Sequence, residues 1–386
     1  MEETEKKKNI FKRVGPALVT ASLVVGPGSV TVATKSGALH GYSLLFVLPL
    51  LWLFMCTYTF IGAKIGLAST RSPLTAIAET IGRPVAIFFG IATFYICSIF
   101  QAGDVIGVSA ALSAVTGLPT LFFNLFFPII CIILYYKSPN VYQWIEKLML
   151  VMIITMLGSF ILNLLWAKPV ISEVAAGFSP HMPTAGEIGL LSAMTATNFV
   201  VAAAFYQSYL VKEKGWKEGD GSSIMADTVF GISLLFIIVG VITVTSAAVL
   251  KPKGIVVNSA ADMAMQLEPL LGVHSKVLFS LGLFAASFSS LAVNALTGAT
   301  LLSDGLGQGH KLSDTSVKRY AAIIMLIGVV IAIITGSSPV KAIITLQRMT
   351  LLPVPFMALG MIWLVNSRRM NTTGKRLPLL INIVAF

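Results

Sequence analysis

The chain has 386 residues, 56% of them hydrophobic and 11% charged, with a formal net charge of +11. A mean hydropathy of +0.87 excludes a soluble protein, because no soluble core of this size needs so many apolar runs. The positive charge does not call for nucleic acid, since its placement along the chain has a different explanation.

Residues 1–13 are polar and lysine-rich and read as a cytoplasmic tail, not a cleavable signal. A single transmembrane domain is expected over 14–386. Spanning the hydrocarbon takes roughly 20 apolar residues per helix. In chain order, ten stretches qualify: 14–38, 43–68, 84–112, 119–137, 144–166, 187–211, 224–250, 272–303, 319–336 and 339–366. An eleventh begins near Leu377 and reads as a partial helix. With the N-terminus inside, 20 of the 27 Lys and Arg residues fall on the cytoplasmic side. Outside lie Lys35, Lys168, Lys251, Lys253, Lys276 and Lys341, and Arg348 lies within the tenth span. This asymmetry is the positive-inside pattern of a multi-pass protein of the plasma membrane, read here as bacterial.

Two spans carry interruptions. The first contains Gly26-Pro27-Gly28-Ser29, where glycine exposes backbone and proline lacks the N–H that bonds one turn back. A broken helix at membrane depth is tolerated where its backbone lines a cavity or binds something. The sixth span contains Met194-Thr195-Ala196-Thr197-Asn198, a small and hydrogen-bonding run inside an apolar stretch. Interruptions five helices apart predict an all-α membrane protein with the LeuT-type inverted five-plus-five repeat, broken in helices 1 and 6.

Other features read as packing. Cys56, Cys97 and Cys131 lie singly within spans, and the four histidines show no metal-ligand spacing. Gln207, Asn294, Gln101 and Asn163 read as interhelical hydrogen bonding. The aromatic run from Leu121 to Phe127 reads as lipid-facing or packing surface. Asp304-Gly305-Leu306-Gly307-Gln308-Gly309 lacks the strand and lysine of a phosphate loop and reads as a cytoplasmic linker.

The chain resembles the Nramp family of divalent-metal transporters. The resemblance rests on Gly15-Pro16-Ala17, the motif at 26–29, Gly37-Ala38 and Gly41-Tyr42-Ser43-Leu44-Leu45 in the first helix. It continues through Leu278 to Ala286, Ser289-Ser290 and Leu296-Thr297-Gly298 in the eighth, and Pro355-Phe356 in the tenth. It implies a metal site at the two breaks, and the departures fall on that site. The family's first-helix motif is Asp-Pro-Gly-Asn, whose aspartate and asparagine ligate the metal; here those positions are Gly26 and Ser29. The family's sixth-helix alanine carbonyl, methionine, proline and histidine correspond to Thr197, Val200, Val201 and Ala202.

Loss of the carboxylate and the thioether leaves neutral oxygen donors. They are the carbonyls of the unwound segments, including Val200, the hydroxyls of Ser29 and Thr197, the Asn198 amide, and Gln347 as a polar pathway residue. Soft ligands favour transition metals, whereas Mg²⁺ takes oxygen and keeps several waters. The pattern is similar to the Nramp-related magnesium-transporter branch. The expected substrate is hydrated Mg²⁺, bound partly through water, with no cofactor beyond the cation. No catalytic residues are expected, and a monomer is expected in the bilayer. With Ala111 at the third helix's second acidic position and no sixth-helix histidine, transport is expected to proceed without protons. Asp104 and Arg348 read either as pathway residues or as structural ones, with Arg348 pairing with Asp104 or packing away from the pathway. Two other functions suit this architecture: an organic-solute transporter of amino-acid type, whose half-helix N–H groups bind a carboxylate, or a non-transporting receptor or assembly subunit.

Overall fold

The structure is a computed structural model that describes residues 16–17, 20, 24–69, 71–137, 154–311, 313–335, 338–367 and 379–385. Most of the first half of the first span, the start of the fifth and the link 368–378 lie outside the described residues. Within them the chain is helical. In order come α1 (Pro27–His40), α2 (Val47–Ala68), α3 (Pro73–Thr80), α4 (Arg83–Thr116) and α5 (Thr120–Lys137). They are followed by α6 (Ile154–Ala167) and α7 (Ile171–Ala176), then by α8 (Ala185–Asn198), α9 (Val201–Glu213) and α10 (Gly221–Val249). The last are α11 (Ala260–Ala264), α12 (Ser275–Gly305), α13 (Thr315–Thr335), α14 (Pro339–Met349), α15 (Val354–Asn366) and α16 (Leu379–Ala385). Six of the described spans are long and apolar enough to cross a membrane unaided.

Both expected breaks are present. Pro16, Ala17, Thr20 and Val24 are helical, the helix stops at Val25–Gly26, and α1 restarts with Pro27 at its first position. A proline there loses nothing, because the first-turn N–H has no partner in any helix. The sixth span breaks one residue beyond the predicted run. Thr195 to Asn198 stay helical, and the chain opens at Phe199 (φ −113°, ψ 77°) and Val200 (φ −95°, ψ 89°) before α9. The threonines remain in the helix because their hydroxyls bond the preceding turn, Thr195 to Leu191 O and Thr197 to Ala193 O.

The tenth span, expected as one helix, is two. Between α14 and α15 the axis bends by 41°, through a turn at Thr350–Pro353. Pro353 and Pro355 lack the N–H groups that would continue the ladder across it.

Helix 12 lies against α4 along most of its length. Glycines carry the closest approaches. A Cβ on Gly62 or Gly66 of α2 would run into the backbone carbonyls of Ala204 and Ser208 in α9. Four residues apart, the pair forms a small-residue stripe of the kind that brings membrane helices together. The aromatic run of α5 divides: Leu121, Phe122, Leu125 and Phe126 are exposed, while Phe127 packs edge-on against Phe284 and Phe288.

Candidate cation site at the first-helix break

Gly26 has extended backbone (φ −121°, ψ −172°) that any residue could adopt, so its conformation does not require glycine. Space does. A Cβ on Gly26 would stand 3.1 Å from Ser290 Oγ and 3.4 Å from Asp104 Oδ1. The volume that a side chain at 26 would enter is occupied by a carboxylate from α4 and a hydroxyl from α12. Asp104 is 1% exposed. Its Oδ2 accepts from Asn294 Nδ2 at 2.8 Å and Ser290 Oγ at 3.0 Å, and Asn294 Nδ2 also donates to Ser290 Oγ at 2.9 Å.

A second side chain closes over the same break. Gln347 of α14 fills the space a Cβ on Gly28 would need, and its Nε2 lies 3.3 Å from the corresponding point on Gly103. Gly107, one turn on, meets Pro27 and Ser287. Gly107 thus lets α4 lie close beside α1 at Pro27, while Gly103 leaves room for the Gln347 amide, and between them α4 carries Asp104 to the break. The side-chain amide oxygen of Gln347 is buried with no hydrogen-bond partner. An unpartnered buried acceptor costs of order 1–3 kcal/mol, so this atom is free to accept from a ligand at the break.

The sixth-span residues are less uniform. Asn198 donates to Met194 O at 2.8 Å and to Thr197 Oγ1 at 3.1 Å, which leaves its Oδ1 buried and unpartnered. Thr197 donates back to Ala193 O (3.0 Å) and Met194 O (3.2 Å), so its hydroxyl proton serves its own helix. Val200 sits at the break as expected, and its carbonyl accepts from Ala204 N at 3.1 Å. Ser29 is buried and donates to Val24 O at 2.6 Å, tying α1 to the helical half before it.

Two expectations are corrected. The break is not lined by neutral oxygens alone, because Asp104 brings a carboxylate beside Gly26. Asp104 and Arg348 do not pair. Arg348 is exposed and lies beside α8, its Nη1 3.7 Å from a Cβ position on Gly189, and the ion pairs among the described residues are Arg71–Glu79, His181–Glu187 and Lys253–Glu268. Gln347 is buried and Arg348 exposed, because successive residues of a helix are turned by about 100° and this pair straddles the edge of the buried face.

Sequence reasoning placed Asn294 among ordinary interhelical bonds and passed over Ser290 and Gly103. The signal for them was spacing. Ser290 and Asn294 are four apart on one helical face, as are Gly103 and Gly107. Asn163 and Gln207 do bridge elements, to Gln266 and Leu270 and to Thr20 respectively. Asp304 is not in a linker. It closes α12, 2% exposed, and accepts from Ser72 Oγ, Leu74 N, Thr75 Oγ1 and Tyr209 OH.

Comparison with known proteins agrees with this architecture. The chain matches the family model Nramp, natural resistance-associated macrophage protein-like, over residues 17–386. It is 24% identical over 371 residues to the divalent metal cation transporter MntH of Mycobacterium tuberculosis (strain ATCC 25618 / H37Rv), covering 93% of this chain and 84% of that one. With the MntH of Bacillus subtilis (strain 168) it shares 22% over 369 residues, covering 94% and 85%. The Eremococcus coleocola manganese transporter, solved with an aromatic bis-isothiourea compound, superposes with a TM-score of 0.77 at 18% identity, over 98% of this chain and 84% of that one. MhsT, solved with L-phenylalanine, gives 0.61 at 15%, over 96% and 93%. The fold is therefore the all-helical LeuT-type transporter fold, and the chain belongs to the Nramp family.

Proposed function

We propose that this chain is a divalent-cation transporter whose substrate is hydrated Mg²⁺, carried without proton coupling, with Asp104 as the carboxylate of its site. The observation that carries this reading is the position of Asp104 Oδ1 beside Gly26. There the charge missing from the first helix is resupplied from the third. Mg²⁺ is usually bound through one or two carboxylates and several retained waters. One carboxylate, the unpartnered carbonyl oxygens of Gln347 and Asn198, and the small residues Gly26, Gly28 and Gly103 suit that chemistry.

Of the described residues that meet at the break, none carries sulphur or imidazole, which gives a soft transition metal nothing to prefer. The partners of Asp104 are a serine and an asparagine. Neither exchanges a proton at neutral pH, so no relay leads away from it. The driving force is then the membrane potential, about 2.3 kcal/mol per charge at 100 mV and twice that for a dication. A carboxylate-bearing organic solute would gain from a cation at the break, and Arg348 instead lies exposed beside α8.

The test is influx into proteoliposomes loaded with a Mg²⁺ dye and a pH dye. Saturable Mg²⁺ entry with no internal acidification supports the reading, and so does weaker competition by Mn²⁺ than by Mg²⁺. Proton entry in step with the cation, or uptake of amino acids with no dication flux, would overturn it.

A further inference from the structure

Two adjoining hollows lie at the end of the molecule that the lysine distribution assigns to the outside. The first is an apolar groove of about 660 Å³ between α2, the α6–α7 corner and α10, walled by Leu48, Trp52, Leu164, Val174 and Val244. Its α10 wall runs from Ser233 to Val244. Eleven residues at 1.5 Å each make about 17 Å, against about 15 Å for the hydrocarbon half-thickness of one leaflet. Trp52 Nε1 donates to Ser233 Oγ at 2.9 Å and closes the deep end.

The second hollow, about 460 Å³, continues along the same helix past Ala247 and Ala248 and shares Pro169 with the groove. Its lining is of the opposite character, with Tyr42, Lys168, Glu173 and Lys251 around it. Neither lysine, nor Glu173, takes part in the three ion pairs among the described residues. Lys168 is also the one non-glycine residue among those described with positive φ, at 45°. It stands immediately before Pro169, where a left-handed backbone costs about 1–2 kcal/mol. Gly41 (φ 64°) leaves the space that the Lys251 ammonium occupies. Burial, and then the Glu173 carboxylate, hold the Tyr42 phenol above its ordinary pKa, so it remains a donor.

We propose that the groove and pocket together bind one diacyl phospholipid with a phosphoethanolamine headgroup. An acyl chain lies along α10 from Val244 to Ser233, and the headgroup lies at the Lys168–Glu173–Lys251 end. The argument is charge complementarity in sequence along one helix. An apolar channel one leaflet deep ends at two ammonium groups that suit a phosphate and one carboxylate that suits a primary amine. A purely anionic headgroup would face Glu173 with nothing to satisfy it. A quaternary amine would offer Glu173 no N–H.

Native mass spectrometry of the full chain, given equal palmitoyl-oleoyl phosphatidylethanolamine, phosphatidylcholine and phosphatidylglycerol, tests this. The expected result is a single phosphatidylethanolamine adduct retained at collision energies that strip the other two. In the Lys168→Gln/Lys251→Gln double variant its apparent affinity falls by about tenfold. Glu173→Gln should abolish the preference over phosphatidylcholine. Lys276→Gln, an external lysine away from the pocket, should change nothing. Equal retention of all three lipids, better retention of phosphatidylglycerol, or a loss in Lys276→Gln equal to that of the double variant would overturn the assignment. The inference is independent of which ion the protein carries.

Discussion

At the scale of single residues, the site depends on one carboxylate reached from an unexpected helix. Asp104→Asn keeps the hydrogen-bond partners Ser290 and Asn294 within reach but removes the charge. Mg²⁺ influx into proteoliposomes should fall by at least about tenfold, or ~1.4 kcal/mol, while the elution profile stays unchanged. Undiminished influx would place the cation elsewhere. Gly26→Asp makes a complementary prediction. It supplies the residue that the family resemblance implies at this position, but sets a second carboxylate against Asp104 and Ser290. Two carboxylates so close repel, and the added side chain takes the space beside Asp104. Mg²⁺ influx through Gly26→Asp should therefore fall by about tenfold or more against the parent. Undiminished influx would mean that the two side chains do not meet.

At the scale of elements, glycines set which helices touch. Gly62 and Gly66 on α2 face carbonyl oxygens of α9, so neither position accepts a Cβ without moving one helix. Overpacking of this kind costs typically 1–3 kcal/mol. Gly66→Val should lower the thermal unfolding midpoint measured by fluorescence size-exclusion chromatography. Gly219→Val, at a glycine with nothing within 4 Å of its Cβ position, should leave it in place. Much of this level was legible in sequence. The span boundaries follow from apolar runs, and both broken helices follow from Gly-Pro-Gly-Ser and from a polar run in an apolar span. The bend at Thr350–Pro353 was missed because its flanks are apolar enough to read as one continuous helix. The sixth-span break lay one residue late because threonine can satisfy its hydroxyl inside a helix.

For the molecule as a whole, Asp304 joins parts that are distant in sequence. It gathers donors from the turn before α3, from α3 and from α9 onto the end of α12, at the side that the lysine distribution assigns to the cytoplasm. Lys212 of α9 adds a bond to the Ser69 carbonyl nearby. The second half of the broken sixth helix is thus held to the long α12 at its far end, while its near end opens at Phe199–Val200. Asp304→Ala would leave four donors without their acceptor, at about 1 kcal/mol or more each. It should destabilise the protein by about 4 kcal/mol or more, read as a lower thermal midpoint. If the midpoint is unchanged, the four bonds do not hold these elements together.

The division between the two levels of information has a physical cause. Membrane insertion and the presence of two breaks are properties of local composition, because the bilayer acts on each segment by its own hydropathy and backbone needs. The sequence by itself therefore determined that the first span breaks at Gly26-Pro27-Gly28-Ser29 and that the break carries no carboxylate of its own. It could not show that Asp104, 78 positions later, would point at the same spot. That depends on Gly107 allowing α4 to approach α1 at Pro27, and on Ser290 and Asn294 arriving from α12 to hold the carboxylate. Only tertiary structure decided this, since charge at a site is summed over every element that converges there.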